Sequence, residues 1–134
     1  MTFLDTSAPG RLLVTDVGSA EILALFRSGV ELFGSSLMTA ELLRVATRNQ
    51  LSYTSAERIL RRMRLLSMDD SLLREAGRLN VPNAWVRTAD AIHIITATRL
   101  EQTDFVTYDR VQARGAEAMG FVVRSPGLED GWWR

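Results

Sequence analysis

Four acidic residues from distant parts of the chain stand at the ends of predicted strands or the starts of predicted helices. Asp5 and Asp109 each follow an apolar stretch that is typical of a β-strand. Glu41 and Asp90 each lie in the first turn of a segment that is typical of a helix. In a sheet of parallel strands the strand ends and helix starts share one edge, so we expect these four carboxylates to meet.

Carboxylates that lie close together repel one another, and some must take up protons unless a cation neutralises them. A site made only of oxygen ligands suits Mg²⁺ or Mn²⁺. The expected chemistry is metal-assisted hydrolysis of a phosphodiester, in which the ion polarises the phosphate and activates a water. Thr6, Ser7 and Thr107 flank the acids and could hold metal-bound waters. Arg110 directly follows Asp109, where it could contact a phosphate or form an ion pair that orients the acid.

Each of these acids also has a purely structural interpretation. An acid in the first turn of a helix is favoured by the helix dipole, and an Asp after a strand commonly serves as a turn or cap residue. Only the joint pattern, in which four acids converge, favours a metal site.

The composition excludes several kinds of chemistry. The chain has 134 residues, 46% hydrophobic and 24% charged, which is ordinary for one globular domain. It has no cysteine, so a thiol nucleophile, a zinc site with cysteine ligands and an iron–sulfur cluster are excluded. All sixteen basic residues are Arg, which excludes chemistry that needs a side-chain amine. Sixteen acids balance them, which argues against nucleic-acid binding by bulk charge alone.

The sequence contains no segment that predicts membrane insertion or secretion. The longest unbroken apolar run, Ile22–Phe26, is far shorter than the roughly 20 residues that span a bilayer. The first residues lack the basic stretch that opens a signal peptide. We therefore expect a cytoplasmic protein with no membrane partner.

The apolar pattern predicts strands that alternate with helices. The predicted strands cover residues 1–4, 30–37, 105–108 and 121–123. The predicted helices cover residues 19–28, 39–49, 54–66, 68–79, 89–100 and 111–119, with Thr39 and Thr88 as caps of two of them. This alternation implies a parallel sheet covered on both faces, in one domain that spans residues 1–134.

Five sequence blocks resemble the PIN-domain ribonucleases, in particular the VapC-type toxins of VapBC toxin–antitoxin pairs. Leu4–Ala8 (LDTSA) and Thr39–Arg44 (TAELLR) each contain one of the four acids. Arg87–His93 (RTADAIH) and Phe105–Arg110 (FVTYDR) contain the other two, and the closing Gly120–Gly127 is also typical of the family. The order and spacing of the blocks, rather than any single block, give the resemblance its specificity.

The resemblance implies an α/β fold, the PIN-like three-layer α/β/α sandwich with a central, mainly parallel sheet. It implies a Mg²⁺-dependent endoribonuclease, with Mn²⁺ as the alternative ion. Its catalytic and metal-binding residues would be Asp5, Glu41, Asp90 and Asp109. It also implies an RNA substrate, a VapB-type antitoxin that occupies the active-site groove, and a toxin homodimer. Pro9–Gly10 departs from the pattern, since many relatives continue a helix there.

Two groups of arginines on the predicted helices allow two interpretations. Arg58, Arg61 and Arg62 share one helix face, and Arg44 and Arg48 stand one turn apart on another helix. They could bind RNA phosphates as bidentate forks, but charged faces are more often simply solvated.

The single histidine and the C-terminal tryptophans have structural interpretations that compete with functional ones. His93 lies three residues after Asp90 and could act as a base or support a ligand. Its isoleucine neighbours instead favour a packed histidine that is hydrogen-bonded locally. Trp132 and Trp133 could stack on a partner or a base, but a surface or mobile position is favoured.

Other enzyme classes that place an Asp after the first strand do not fit. A haloacid-dehalogenase-type phosphatase needs a second Asp where this chain has Ser7, and it also needs a lysine, as receiver domains do. No Gly-rich phosphate loop of the Rossmann type follows the first strand. The alternative that stays open is a catalytically inactive PIN fold that only binds RNA or a protein.

Overall fold

The structure, a computed structural model, describes the whole chain from Met1 to Arg134. Its five strands are β1 (Thr2–Leu4), β2 (Leu32–Ser35), β3 (Arg64–Leu66), β4 (Asp104–Val106) and β5 (Val122–Arg124). Its seven helices are α1 (Ser7–Gly10), α2 (Ser19–Arg27), α3 (Leu37–Arg48), α4 (Tyr53–Arg61), α5 (Asp70–Gly77), α6 (Thr88–Arg99) and α7 (Arg110–Ala118). None of these helices combines the length and the apolar character that crossing a membrane requires.

The strands form one sheet in the order β3-β2-β1-β4-β5, and every neighbouring pair is parallel. The first strand of the chain therefore lies in the middle of the sheet. Phe3 of β1 pairs with Phe33 on one side and with Phe105 on the other, and Leu4 pairs with Val106. The predicted parallel sheet is confirmed.

Both faces of the sheet are covered by helices. Successive residues of a strand point to opposite faces, so Phe3 and Leu4, both fully buried, enter different clusters. Leu4 packs with residues of the first four helices, including Ala8, Ile22, Met38 and Ile59. Phe3 packs with residues of the last two helices and the C-terminus, including Ile94, Ala113 and Trp133. The predicted three-layer α/β/α arrangement is confirmed.

The central pair of strands, β1 and β4, determines which side chains share the carboxyl edge of the sheet. The backbone N–H of Asp5, just past β1, donates to the carbonyl oxygen of Val106 at 3.2 Å. Beyond Val106, the backbone N–H of Thr107 donates to the carbonyl of Arg124 on the next strand at 3.1 Å. Residues 5 and 107 therefore leave the sheet side by side, and Asp109 follows at the same edge.

The prediction that residues 54–66 form one helix is wrong at its end. Helix α4 stops at Arg61, and Arg64–Leu66 form the edge strand β3, which pairs with Phe33–Ser35 of β2. The spacing of the apolar side chains fits another helical turn equally well. The backbone groups along the outer edge of β2 would lack partners without β3, and a local apolar pattern does not contain that constraint.

Two of the predicted helix starts are displaced. Ser36 and Arg87, not Thr39 and Thr88, are the N-cap residues of α3 and α6. Helix α3 begins early because β2 ends at Ser35, whose hydroxyl accepts the N–H of Leu37 at 3.1 Å. Glu41 therefore lies in the second turn of its helix rather than the first.

The sequence favours a surface or mobile position for both C-terminal tryptophans, and this prediction is wrong for Trp133. Its side chain is buried in the cluster around Phe3, and its indole N–H donates to Glu117 at 2.9 Å. Trp132 packs edge-on against it, with 6.3 Å between ring centroids. The burial of so large a ring binds the end of the chain to α7.

Candidate active site

Asp5 is a buried carboxylate held by hydroxyl groups. Its Oδ1 accepts from the hydroxyl of Ser7 at 2.5 Å and from the backbone N–H of Ser7 at 3.1 Å. Its Oδ2 accepts from the hydroxyl of Thr107 at 2.6 Å. Burial raises the pKa of Asp5 to about 6, against the opposing effects of His93 and of these two hydroxyls. Asp5 is therefore an acid for which a nearby cation would be strongly stabilising.

The hydroxyls of Ser7 and Thr107 connect the ends of β1 and β4. They lie 3.2 Å apart, and Ser7 Oγ also accepts the backbone N–H of Tyr108 at 2.8 Å. Thr107 Oγ1 accepts the backbone N–H of Asp109 at 3.1 Å. The sequence suggested these side chains as holders of metal-bound waters, whereas here they position the acids themselves.

Glu41 is held by one side chain from α6 and one from the turn after β1. Its Oε1 accepts from the hydroxyl of Thr6 at 2.6 Å and lies 2.7 Å from Nε2 of His93. Burial would raise the pKa of Glu41, but the hydrogen bond and charge of His93, together with Thr6, outweigh it and lower that pKa. His93 is buried, as predicted, but its partner is Glu41 and not a local group. Its Nδ1 has no partner.

Asp90 and Asp109 are joined by Arg87. The Arg87 guanidinium donates to Asp90 through Nε at 2.8 Å and Nη2 at 3.2 Å, and Nη2 also reaches Oδ2 of Asp109 at 2.7 Å. These two acids raise the pKa of Arg87 above its already high value. Asp109 also caps α7, because its Oδ1 accepts the N–H of Gln112 at 3.0 Å.

Arg87 was not singled out as a site residue by the sequence analysis, although it opens the RTADAIH block. The available signal was its position directly before a predicted helix, three residues from one of the acids. Arg110, which was singled out, turns away from the acids. Its guanidinium lies 5.5 Å from the ring centroid of Trp132.

The four acids line a single pocket of about 190 Å³. Thr6, Ser7, Arg87 and His93 also line it. A second cavity, of about 400 Å³, shares Thr6, Ser7, Glu41 and Asp109 with this pocket and extends past Arg11 and Arg48. We call these two adjoining cavities the active-site groove, which has the four acids and Arg87 at one end and Arg11 and Arg48 at the other.

The other arginine group lies elsewhere. Arg58 lines a different cavity, beside α2. Arg62 donates to the backbone carbonyl of Phe26 at 2.6 Å, and Arg61 donates to the carbonyl of Glu57 at 3.3 Å. None of the three lines the active-site groove.

The donor set of the pocket fits a hard divalent cation, since it consists of carboxylates and hydroxyls around a buried acid. The acids are not gathered around a common point, however, and no three acidic or histidine side chains are close enough to hold one ion. Their charges are offset within the protein, by Arg87 at two of them and by His93 at a third. The sequence predicts that a cation relieves their repulsion, and these pairs within the protein relieve part of it.

A profile of the PIN domain family matches residues 2–118. The chain belongs to this family. Ribonuclease VapC46 of Mycobacterium tuberculosis is 32% identical to it over 127 residues, which cover 92% of this chain and 96% of that protein. The chain is thus a PIN-domain protein of the VapC ribonuclease type, and the resemblance stated from the sequence blocks is confirmed.

A solved structure supports the fold. The crystal structure of VapC20 of Mycobacterium tuberculosis, described as a toxin that cleaves the sarcin–ricin loop, superimposes with a TM-score of 0.72. The match covers 91% of this chain and 97% of that one at 16% identity. At this identity the likeness concerns the PIN-domain fold and not the RNA that is cut.

Proposed function

We propose that this PIN domain is a Mg²⁺-dependent endoribonuclease, with Mn²⁺ as an alternative ion, and the toxin of a type II toxin–antitoxin pair. The observation that carries the proposal is the meeting of Asp5, Glu41, Asp90 and Asp109 in one pocket at the carboxyl edge of the sheet. The similarity over nearly the full length of VapC46 supports it.

Asp5, Asp90 and Asp109 would hold the metal ion, and Glu41 would either bind it or orient a water. A bound divalent ion supplies polarisation of the scissile phosphate and activation of a water. Hydrolysis with water as the attacking group leaves a 5′-phosphate and a 3′-hydroxyl. A 2′,3′-cyclic phosphate product would instead indicate attack by the RNA 2′-hydroxyl.

The residues around the four acids orient them or bind the RNA strand. Ser7 and Thr107 keep Asp5 in one orientation, and His93 keeps Glu41 ionised by donating to it. Arg48 lines the far end of the active-site groove, where it would pair with a phosphate of the RNA strand.

The proposed protein partners are an antitoxin and a second copy of this chain. A VapB-type antitoxin would occupy the active-site groove, the toxin would form a homodimer, and both would act in the cytoplasm where RNA is cut. We also infer that residues 1–134 form one PIN domain, since Trp133 packs in the same cluster as Phe3 of the central strand.

The test is cleavage of total cellular RNA by the purified protein, with mapping of the new ends. We expect cleavage with Mg²⁺ or Mn²⁺, loss of cleavage with EDTA, and loss of cleavage in Asp5→Asn with the fold retained. Asp70→Asn is a matched control, because Asp70 is an exposed acid on α5 outside the groove. If Asp5→Asn cuts RNA as well as the parent, the mechanism is wrong. Binding of RNA without cleavage by the parent would favour the inactive binding module.

A further inference from the structure

The guanidinium of Arg87 occupies the space between two of the acids that are proposed to bind the ion. Its Nη2 donates to Oδ1 of Asp90 at 3.2 Å and to Oδ2 of Asp109 at 2.7 Å. A guanidinium and a divalent ion are both cations, and they satisfy the same carboxylate oxygens. Arg87 and the ion therefore compete for Asp90 and Asp109.

Both acids keep an anchor that does not depend on the guanidinium. Oδ2 of Asp90 also accepts the backbone N–H of Arg87 at 3.0 Å. This backbone hydrogen bond is part of the capping box of α6 and does not involve the Arg87 side chain. Oδ1 of Asp109 accepts the N–H of Gln112 at 3.0 Å. Movement of the Arg87 side chain would therefore leave both carboxylates, and the start of each helix, in place.

The Arg87 side chain is partly exposed and is held by only two residues. It is 47% exposed, and all of its side-chain hydrogen bonds go to these two acids. The bond to Asp109, whose side chain is 35% exposed, lies nearer to solvent than the bonds to Asp90, which is 7% exposed. An exposed ion pair contributes less to stability than a buried one of the same geometry, so the bond to Asp109 is the first to yield.

We propose that Arg87 is an internal competitor of the metal ion, which holds Asp90 and Asp109 in the metal-free protein and leaves Asp109 when a divalent ion binds. This inference rests on the metal dependence stated under the proposed function. It explains why four carboxylates share a pocket while no three of them are gathered to hold an ion. Arg87 thereby sets the affinity for the ion and acts as a positioning residue.

The test measures ion binding directly, without RNA. The metal-free protein is titrated with Mn²⁺ in a calorimeter, and the parent is compared with Arg87→Gln and Arg87→Lys. We expect the Kd of Arg87→Gln to be about tenfold lower, since an opposite charge on a carboxylate changes its affinity for another cation by this order. Arg87→Lys should lie between the two, because one ammonium group does not span both acids.

Arg110→Gln is the matched control. Arg110 lies next to Asp109 in sequence, but its side chain packs on Trp132 and does not line the pocket. Its loss removes the same formal charge from the same region, so the Kd for Mn²⁺ should stay within about twofold. A decrease in Kd of equal size in both variants would mean a general charge effect, and would overturn the inference.

A second measurement on the parent protein does not depend on how the variants fold. The Nε–H resonance of Arg87, assigned by its absence from either Arg87 variant or by sequential assignment, is followed by ¹⁵N NMR during titration with Mg²⁺. We expect it to move and to broaden toward the signal of a solvated arginine. An unchanged resonance at saturating Mg²⁺ would overturn the inference.

The outcomes separate this inference from the proposed function. If the parent and Arg87→Gln bind Mn²⁺ equally well, or if Arg87→Gln binds it more weakly, the competitor role is wrong and the metal-dependent activity stands. If the parent takes up neither Mn²⁺ nor Mg²⁺, the metal dependence fails and the inference fails with it.

Discussion

Nε2 of His93 on α6 lies 2.7 Å from Oε1 of Glu41 on α3, so a hydrogen bond across the pocket joins two helices from opposite faces of the sheet. An ionised carboxylate only accepts hydrogen bonds, which makes Nε2 the donor. This bond counters the burial that would otherwise raise the pKa of Glu41.

Removal of the His93 imidazole should therefore raise the pKa of Glu41. Burial raises the pKa of Glu41, and in His93→Leu the histidine no longer opposes this effect. A larger fraction of the Glu41 carboxyl groups is therefore protonated at a given pH. We expect the acid limb of the pH–activity profile to move to higher pH. A ¹³C carboxyl titration of the metal-free protein measures the same change at Glu41 itself.

Thr6→Val provides the comparison, because it removes the other hydrogen bond to the same oxygen of Glu41. The effect of Thr6 on this pKa is smaller than that of His93, so the shift should have the same direction and a smaller size. An unchanged Glu41 pKa in His93→Leu would contradict the role assigned to the histidine.

Asp5 should make the metal-free protein less stable as the pH rises. Its pKa is about 6 in the folded chain against an ordinary value of 3.8, so its contribution to stability is full below 3.8 and is lost as the pH passes 6. A change of this size corresponds to about 3 kcal/mol of the free energy of unfolding. Asp5→Asn lacks this titration. Its stability relative to the parent should therefore improve between about pH 4 and pH 7 and stay constant above that.

Urea denaturation in EDTA at several pH values measures the difference between Asp5→Asn and the parent. Saturating Mg²⁺ should reduce or abolish the pH-dependent loss in the parent, because a bound cation stabilises the ionised acid. Parallel pH dependence of the two proteins in EDTA would show that Asp5 titrates as an ordinary carboxyl.

Arg48 should contribute to RNA binding and not to the chemical step. It lines the groove beyond Glu41 and has no ion-pair partner in the protein. We expect Arg48→Gln to raise KM for RNA severalfold with little change in kcat. It should also reduce the dependence of log K on log salt by about 0.7, the value for one phosphate contact to a single strand.

Arg61→Gln is the control for Arg48, since Arg61 lies on α4 and does not line the active-site groove. Its KM and salt dependence should match those of the parent. If both substitutions raise KM to the same extent, the RNA does not bind along the active-site groove.

Trp133 should be essential to stability although it is the penultimate residue. Its side chain is 2% exposed and packs against the cluster of the central strand, so Trp133→Ala should cost about 3–5 kcal/mol. Trp85→Ala is the matched control, because Trp85 is 71% exposed and its removal should cost at most about 0.5 kcal/mol. Chemical denaturation of the three proteins tests this, and equal stability of Trp133→Ala and the parent would contradict the burial.

The sequence predicts those parts of the fold that depend on local pattern. The strand end before Asp5 follows from a short apolar run followed by an acid, and the parallel sheet follows from the alternation of strands and helices. The predicted strand over residues 105–108 is too long at its end, since β4 stops at Val106 and Asp109 caps α7. The strand β3 could not be predicted in this way, because Arg64–Leu66 pair with β2 only through a contact that is distant in sequence.

In the candidate site, too, local sequence patterns predict some features, whereas others depend on contacts that are distant in sequence. The sequence could indicate which acids share an edge, since the topology of the sheet determines that. It could not indicate that Arg87 turns toward Asp109 while Arg110 turns toward Trp132, because each arginine lies within three residues of an acid in the chain. Side-chain direction depends on neighbours from other elements, and Trp132 comes from the last turn of the chain.

The pairing of the first strand with the fourth has a consequence for synthesis on the ribosome. One of the two hydroxyls that orient Asp5 belongs to Thr107, 102 residues later in the chain. A nascent polypeptide that has not yet exposed β4 therefore carries Asp5 with its Ser7 contacts but without the Thr107 hydroxyl that holds Oδ2. The orientation of Asp5 is therefore completed only after the segment that carries Thr107 has been synthesised.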